Sequence, residues 1–150
     1  EVQLIISGGI RNGADVSKAL ALGADAVSIG SAAMIAIGDN DPKWEKEYNK
    51  LGSKAGAYDD WHEGNDPAGI STQNPKLMKR LDPIKAGKKL SNYLKVMTLE
   101  AQTIARACGK NDLHNLEPED LCALTVEAAA MARVPLAGTN WVPGLDKNIY

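Results

Sequence analysis

The sequence predicts an α/β fold built on a parallel sheet. Three observations predict it: short apolar, β-branched runs at residues 2–7 and 26–29, a helical repeat between them, and a glycine turn closing each run. Strand, helix, strand, helix in this order implies a right-handed crossover between parallel strands. Glycines at the carboxyl ends of both strands put a site at residues 7–13 and 29–33, where parallel α/β proteins keep theirs.

The elements follow in order. Val2 to Ser7 reads as a buried parallel strand that starts directly from Glu1, without an initiator Met or a leading loop. On that ground the chain reads as a piece of something longer. Asp15, Val16, Ala19, Leu20 and Leu22 recur at helical spacing, and Gly23 closes the helix. Ala26-Val27-Ser28-Ile29 forms the second strand and ends at Gly30-Ser31, before a helical run from Ala32 to Ile37. From Asp39 to Asp82 the text is rich in Gly, Pro, Asn and Asp, a long connection with a short helix near Trp44 to Leu51. Gly87 to Cys108 and Pro118 to Ala132 predict two amphipathic helices packed together, the second opened by Pro118 with Glu119 and Asp120 in its first turn. The tail from Val134 to Tyr150 has Trp141 as its large apolar anchor. The division is therefore 1–38, 39–82 and 83–150, one incomplete domain.

Bulk properties exclude several classes of function. The 150 residues carry 17 Lys and Arg against 19 Asp and Glu, a formal charge of -2 without long runs of one sign. This argues against nucleic acid or an anionic membrane as partner. The longest apolar stretch, around Ala32 to Ile37, is far short of the ~20 residues that span a bilayer, so a soluble, cytoplasmic protein is expected. Cys108 and Cys122 share no ligand or redox spacing and read as small buried thiols in helices. His62 reads as a hydrogen-bonding loop residue, His114 sits in a polar turn with no partner of metal-binding spacing, and no metal site is expected.

Gly8-Gly9-Ile10 and Gly30-Ser31 lie one strand–helix unit apart, so their backbone N–H groups are expected at the same sheet edge. Glycine suits that task because a side chain would block the approach of phosphate oxygens, while a helix opening at Ala32 aims its positive end at an anion. The competing reading is that these glycines serve tight turns alone. For one glycine pair that reading weighs more; two turns in register reverse the balance.

The stretch Ser7-Gly8-Gly9-Ile10-Arg11-Asn12-Gly13-Ala14-Asp15-Val16, followed by Lys18 to Ala24, resembles the seventh strand and helix of FMN-binding (β/α)8 barrels. Ile29-Gly30-Ser31-Ala32 is similar to the eighth strand. That much would also suit type 2 isopentenyl-diphosphate isomerase or inosine-monophosphate dehydrogenase. Trp61 to Gln73, with His62-Glu63 and Asp66-Pro67-Ala68-Gly69-Ile70-Ser71-Thr72-Gln73, narrows the resemblance to glutamate synthase, whose equivalent segment supplies cysteine ligands to an iron–sulfur cluster. By that resemblance Asp39, Trp61 and Asp66 stand where the three cysteines would be, so no cluster is expected on this chain. Asn92 to Gln102, His114 to Leu121 and Ala137 to Trp141 resemble most the flavin subunit of the N-methylglutamate synthase (methylamine–glutamate N-methyltransferase) branch.

The resemblance implies the C-terminal portion of a (β/α)8 TIM barrel, its last two strand–helix units, followed by a long loop and C-terminal helices. Such a barrel needs about 200 residues or more, so the chain is expected to be a fragment of a longer polypeptide or, the less favoured reading, to complete a barrel with another chain. FMN is the implied cofactor, with Gly8, Gly9, Gly30 and Ser31 in the phosphate role and Ile10 in the same turn. Ser7 and Arg11 would lie near the ribityl-phosphate end. Ser7 departs from the Asp that many such barrels carry there, and Arg11 could equally pair with a carboxylate. Thr72 and Gln73 would line the pocket; the catalytic acid and base would belong to earlier strands. Implied substrates are glutamate and methylamine, in a redox-neutral amine exchange that needs no electron wire. Implied partners are an amidotransferase-like and a GxGxG-type subunit in a hetero-oligomer. The alternatives are glutamate synthesis from 2-oxoglutarate and a non-catalytic interaction module.

Overall fold

In a computed structural model, residues 2–57 and 60–144 are described. The chain divides into two compact units, one formed by residues up to Ile29 and from Met97 onward, the other by Gly30–Val96.

The first unit opens with β1 (Ile5–Ser7), α1 (Gly13–Ala21) and β2 (Ala26–Ser28). The two strands pair in parallel with Ile5, Ile6 and Ser7 opposite Ala26, Val27 and Ser28, as the crossover rule requires. Alternation decides what each strand buries. Ile6 and Val27 face the helix side, where Ile10, Ala19, Leu20 and Ala24 form a core with Val16 and Leu113. Ile5, Ser7, Ala26 and Ser28 face the other way and are exposed, Ile5 by 65%. The strands expected to be fully buried are thus only half-buried, and on one face, because helices cover that face alone among the described residues. They are also shorter than expected: regular pairing starts at Ile5 and ends at Ser28.

The second unit opens with α2 (Ser31–Ile37), closed by Gly38 at φ 114°. A short 3-10 turn over Pro42–Trp44 leads into α3 (Glu45–Lys50), another covers Trp61–Glu63, and α4 spans Pro75–Met78. The short helix expected near Trp44 to Leu51 is α3, and the 39–82 connection adds the two 3-10 turns and α4 among the described residues. Its centre is polar: Tyr48 and Asp66 are both fully buried. Asp66 Oδ1 accepts the Ala68 N–H at 2.9 Å, and Oδ2 accepts those of Ile70 at 2.8 Å and Ser71 at 3.1 Å. The Tyr48 hydroxyl is hydrogen-bonded to Asp66 and also accepts the Asn40 N–H. Burial, with the Asp66 charge beside it, pushes the Tyr48 phenol above its ordinary range.

The helix α5 (Pro83–Ala107) begins in the second unit and ends in the first, starting four residues before the expected Gly87. Asp82 holds its start, accepting the Ile84 and Lys85 N–H groups. The second predicted helix needs correction. Pro118 opens only a 3-10 turn to Asp120, and α6 spans Val126–Ala132. The cause is local: the Asp120 side chain bonds back to the Glu117 N–H, and Ala123 forms a parallel bridge with Leu136, which holds the chain extended. Thr125 then caps α6 by accepting the Ala128 N–H. The buried residues of α6 do not build a helix pair with α5; they cluster with Ala123, Val134 and Leu136. Cys122 is exposed and outside any helix, contrary to expectation, while Cys108 is half-buried at the end of α5. Trp141 is 44% exposed and so anchors little; the last part of the expected tail, 145–150, lies outside the described residues. Among the described residues no helix is long and apolar enough to cross a membrane.

Candidate functional site

The turn after β1 is the centre of the candidate site. Ser7 ends the strand opposite Ser28, and Gly8 and Gly9 follow at φ 101° and 72°, the left-handed region that side chains disfavour. A Cβ at either glycine would meet nothing within 4 Å, so the space around both is open. That geometry fits a phosphate approaching backbone N–H groups, with no bulk in its way. Ile10 plays a different part from its neighbours. Its side chain is 9% exposed and belongs to the helix-side core, so it anchors the turn.

The far end of the turn is held by carboxylates. Asp15, only 8% exposed, accepts the Arg11 N–H at 3.1 Å, pairs with Arg11 Nε at 3.1 Å and with Lys18 Nζ at 3.0 Å. The hydrogen bonds from Lys18 and then Arg11 hold its carboxyl at about 2, well below the usual range. Arg11, open between two roles in the sequence, has thus a carboxylate partner, with 75% of its side chain exposed. Asn12 caps α1 through the Asp15 N–H at 2.9 Å. The Gly13 N–H donates to Glu100 Oε2 at 2.6 Å, reaching 87 residues along the chain. A Cβ on Gly13 would come within 2.5 Å of Ala101 N and 2.7 Å of Glu100 Cβ, so this glycine is required by the close approach of α5.

Gly30 and Ser31 open the second unit. Gly30 is the residue before α2, at φ -126° and ψ -86°, and supplies no side-chain cap to it. Its carbonyl accepts the Ala33 and Met34 N–H groups. Thr72, expected at a pocket, is 8% exposed and spends its hydroxyl on the Gly64 carbonyl and the Asn74 N–H. His114 bonds the Asp25 carbonyl through Nε2 at 3.0 Å, a turn-holding role. Among the described residues no three His, Cys, Asp or Glu side chains are grouped as metal ligands. Each unit has a cleft of its own among the described residues. One, of about 360 Å³, is lined by Leu20 to Asp25 and His114 to Pro118. The other, of about 240 Å³, lies beside Trp44 and is lined in part by Lys43, Arg80, Lys85 and Lys89.

Sequence reading singled out the glycines but not the side chains that fix their turn. Asp15 carried a signal, since Arg11 and Lys18 stand four residues before it and three after it. Glu100 carried none, because nothing local marks a partner so distant. Asp66-Pro67-Ala68-Gly69 has the residues of a tight turn, Asp first and Pro second, but the burial of that Asp depends on Tyr48.

Comparison with known proteins gives the family. The conserved region of glutamate synthase matches at residues 1–42 and 57–111. A glutamate synthase large subunit-like protein of Rhizobium meliloti is 81% identical over 144 residues, which are 96% of this chain and 33% of that protein. An archaeal glutamate synthase [NADPH] of Methanocaldococcus jannaschii is 41% identical over 116 residues, 77% of this chain and 20% of that protein. An archaeal-type glutamate synthase [NADPH] of Thermotoga maritima is 37% identical over 113 residues, 75% of this chain and 19% of that protein. No solved structure matches. The chain thus spans a third of the length of one relative and about a fifth of the others, and over that span it belongs to the glutamate synthase family.

Proposed function

We propose that this chain forms the last two strand–helix units of a flavin barrel, and that the complete protein exchanges the amine of glutamate for methylamine. The uncovered face of the β1–β2 pair supports the first part, since Ile5, 65% exposed, is an apolar side chain on a sheet face that a barrel interior would cover. In this reading the backbone N–H groups of Gly8 and Gly9 bind the FMN phosphate, a role that the family resemblance gives also to Gly30 and Ser31. Ser7 offers a hydroxyl to the ribityl end, Ile10 pins the turn to the core and Arg11 stays with Asp15. Bound FMN would supply a hydride acceptor and donor in one place.

The segment 39–73 carries the choice of reaction. Asp39, Trp61 and Asp66 stand where the family resemblance puts cysteine ligands, and the Asp66 carboxylate is committed to three backbone N–H groups. Without thiolates there is no wire for incoming electrons. Amine exchange needs none. Glutamate loses two electrons and a proton pair to become the imine, methylamine replaces ammonia on that carbon, and the same two electrons return to give N-methylglutamate. The proposed setting is a hetero-oligomer with amidotransferase-like and GxGxG-type subunits.

A second reading, NADPH-driven glutamate synthesis, is favoured by the names of the archaeal and archaeal-type glutamate synthase [NADPH] relatives at 41% and 37% identity. One experiment separates them: an absorbance spectrum of the full-length protein, then anaerobic glutamate, then methylamine. Bleaching by glutamate and N-methylglutamate formation without NAD(P)H is expected. Flavin that responds only to NAD(P)H supports the second reading, and protein without flavin ends both.

A further inference from the structure

We infer that Glu100 is a positioning residue for the glycine turn: from α5 it fixes the start of α1 and thereby the conformation of Gly8 and Gly9. The inference rests on the flavin-phosphate reading only for its functional consequence. The turn between β1 and α1 is five residues long, from Gly8 to Asn12, and two of these are glycines with little conformational preference of their own. Its shape therefore depends on its ends. At one end β1 is hydrogen-bonded to β2. At the other, Asp15 holds Arg11, and Glu100 holds Gly13 at 2.6 Å.

The Glu100 contact differs from the Asp15 contacts in origin. Asp15 belongs to α1 and moves with it, so it ties the turn to its own helix. Glu100 belongs to α5 and ties that helix end to a separate element. The bare α-carbon of Gly13 against the Ala101 backbone shows how closely the two meet, since any side chain there would overlap α5. The carboxylate also takes up one of the free N–H groups at the start of α1, so that N–H is not available to a ligand. Glu100 acts on an anion in the turn through geometry, and its own charge there is unfavourable to one.

Two substitutions separate reach from charge. Glu100→Asp keeps the charge and shortens the side chain by one methylene, so it cannot hold Gly13. Glu100→Gln keeps the reach and an acceptor oxygen and removes the charge. The measurement is hydrogen exchange of peptides covering residues 7–13 in the full-length protein stripped of flavin, with residues 66–71 as internal control, followed by FMN titration.

Positioning predicts that Glu100→Asp and Glu100→Ala speed exchange of 7–13 about tenfold, the equivalent of 1.4 kcal/mol, leave 66–71 unchanged, and weaken FMN binding by a similar factor. It also predicts Glu100→Gln within about threefold of wild type. Wild-type exchange in Glu100→Asp, or a loss in Glu100→Gln as large as in Glu100→Ala, overturns it. Should Glu100→Ala fail to fold, the Asp and Gln pair decides. If exchange follows the predicted order and no form binds FMN, the flavin reading falls and the positioning role stands.

Discussion

Replacing Gly13 by alanine sets two effects of opposite sign against each other. Helix propensity favours alanine over glycine by up to ~1 kcal/mol, less at a first helical position. Against this, the new methyl would lie 2.5 Å from Ala101 N and 2.7 Å from Glu100 Cβ, and the nearer atom is helix backbone, which cannot rotate aside. Overpacking of this kind costs ~1–3 kcal/mol. Relief by parting the helices would stretch the Gly13–Glu100 bond, a charge-assisted contact worth ~1.5–3 kcal/mol. The steric and hydrogen-bond costs outweigh propensity, and a net loss of ~2–4 kcal/mol is expected, seen as a lowered Tm. Thermal melts of the full-length Gly13→Ala and wild-type proteins measure it. An unchanged or raised Tm, as propensity alone predicts, would refute the close approach of α1 and α5.

Asp66→Asn should cost ~2–4 kcal/mol in a urea titration, because an amide nitrogen must then face a backbone donor in a fully buried site; a change under ~0.5 kcal/mol would remove Asp66 from the centre of its loop. Asp15, held at about 2, contributes stability that is complete above its unfolded value of 3.8 and is lost as pH falls toward 2. Since its partners Arg11 and Lys18 are 75% and 59% exposed, that contribution is ~1 kcal/mol, and Asp15→Asn should flatten the wild-type loss of stability between those pH values. Gly9→Val places a β-branched residue at φ 72°, and on the proposed function the purified protein should lose its FMN while Gly23→Val, at φ 101° in the turn before β2, should keep it; equal retention would detach the first turn from the cofactor.

What the sequence made legible was what local spacing determines. The first helix and both glycine turns stood out because their apolar periods and turn residues lie within a few positions of each other. The strands were legible in place but not in burial, since Ile5 and Ile6 look alike and only the covering of one face distinguishes them. The stretch 118–132 failed for a related reason. Pro118, Glu119 and Asp120 are proper first-turn residues, but the Ala123–Leu136 bridge takes the next residues into an extended path. In the 39–82 segment the short helix near Trp44 to Leu51 was legible, but the buried centre was not, because Asp66 and Tyr48 look like surface residues until they meet.

The three carboxylates that matter most here do the same physical work. Asp15, Asp66 and Glu100 each accept backbone N–H groups that a turn or a helix start leaves without a secondary-structure partner. An ionised carboxylate suits this because one side chain can satisfy several donors, and bonds to a charged acceptor are stronger than neutral ones. Asp66 shows the consequence for function. A thiolate at that place can hold a metal centre and fold the loop around it; a carboxylate bonded to the N–H groups of Ala68, Ile70 and Ser71 closes the same loop by hydrogen bonds, and on the proposed function it has no electrons to carry. On the proposed function the two properties belong together. A reaction that returns its electrons to the carbon they came from requires the loop to be folded and does not require it to conduct.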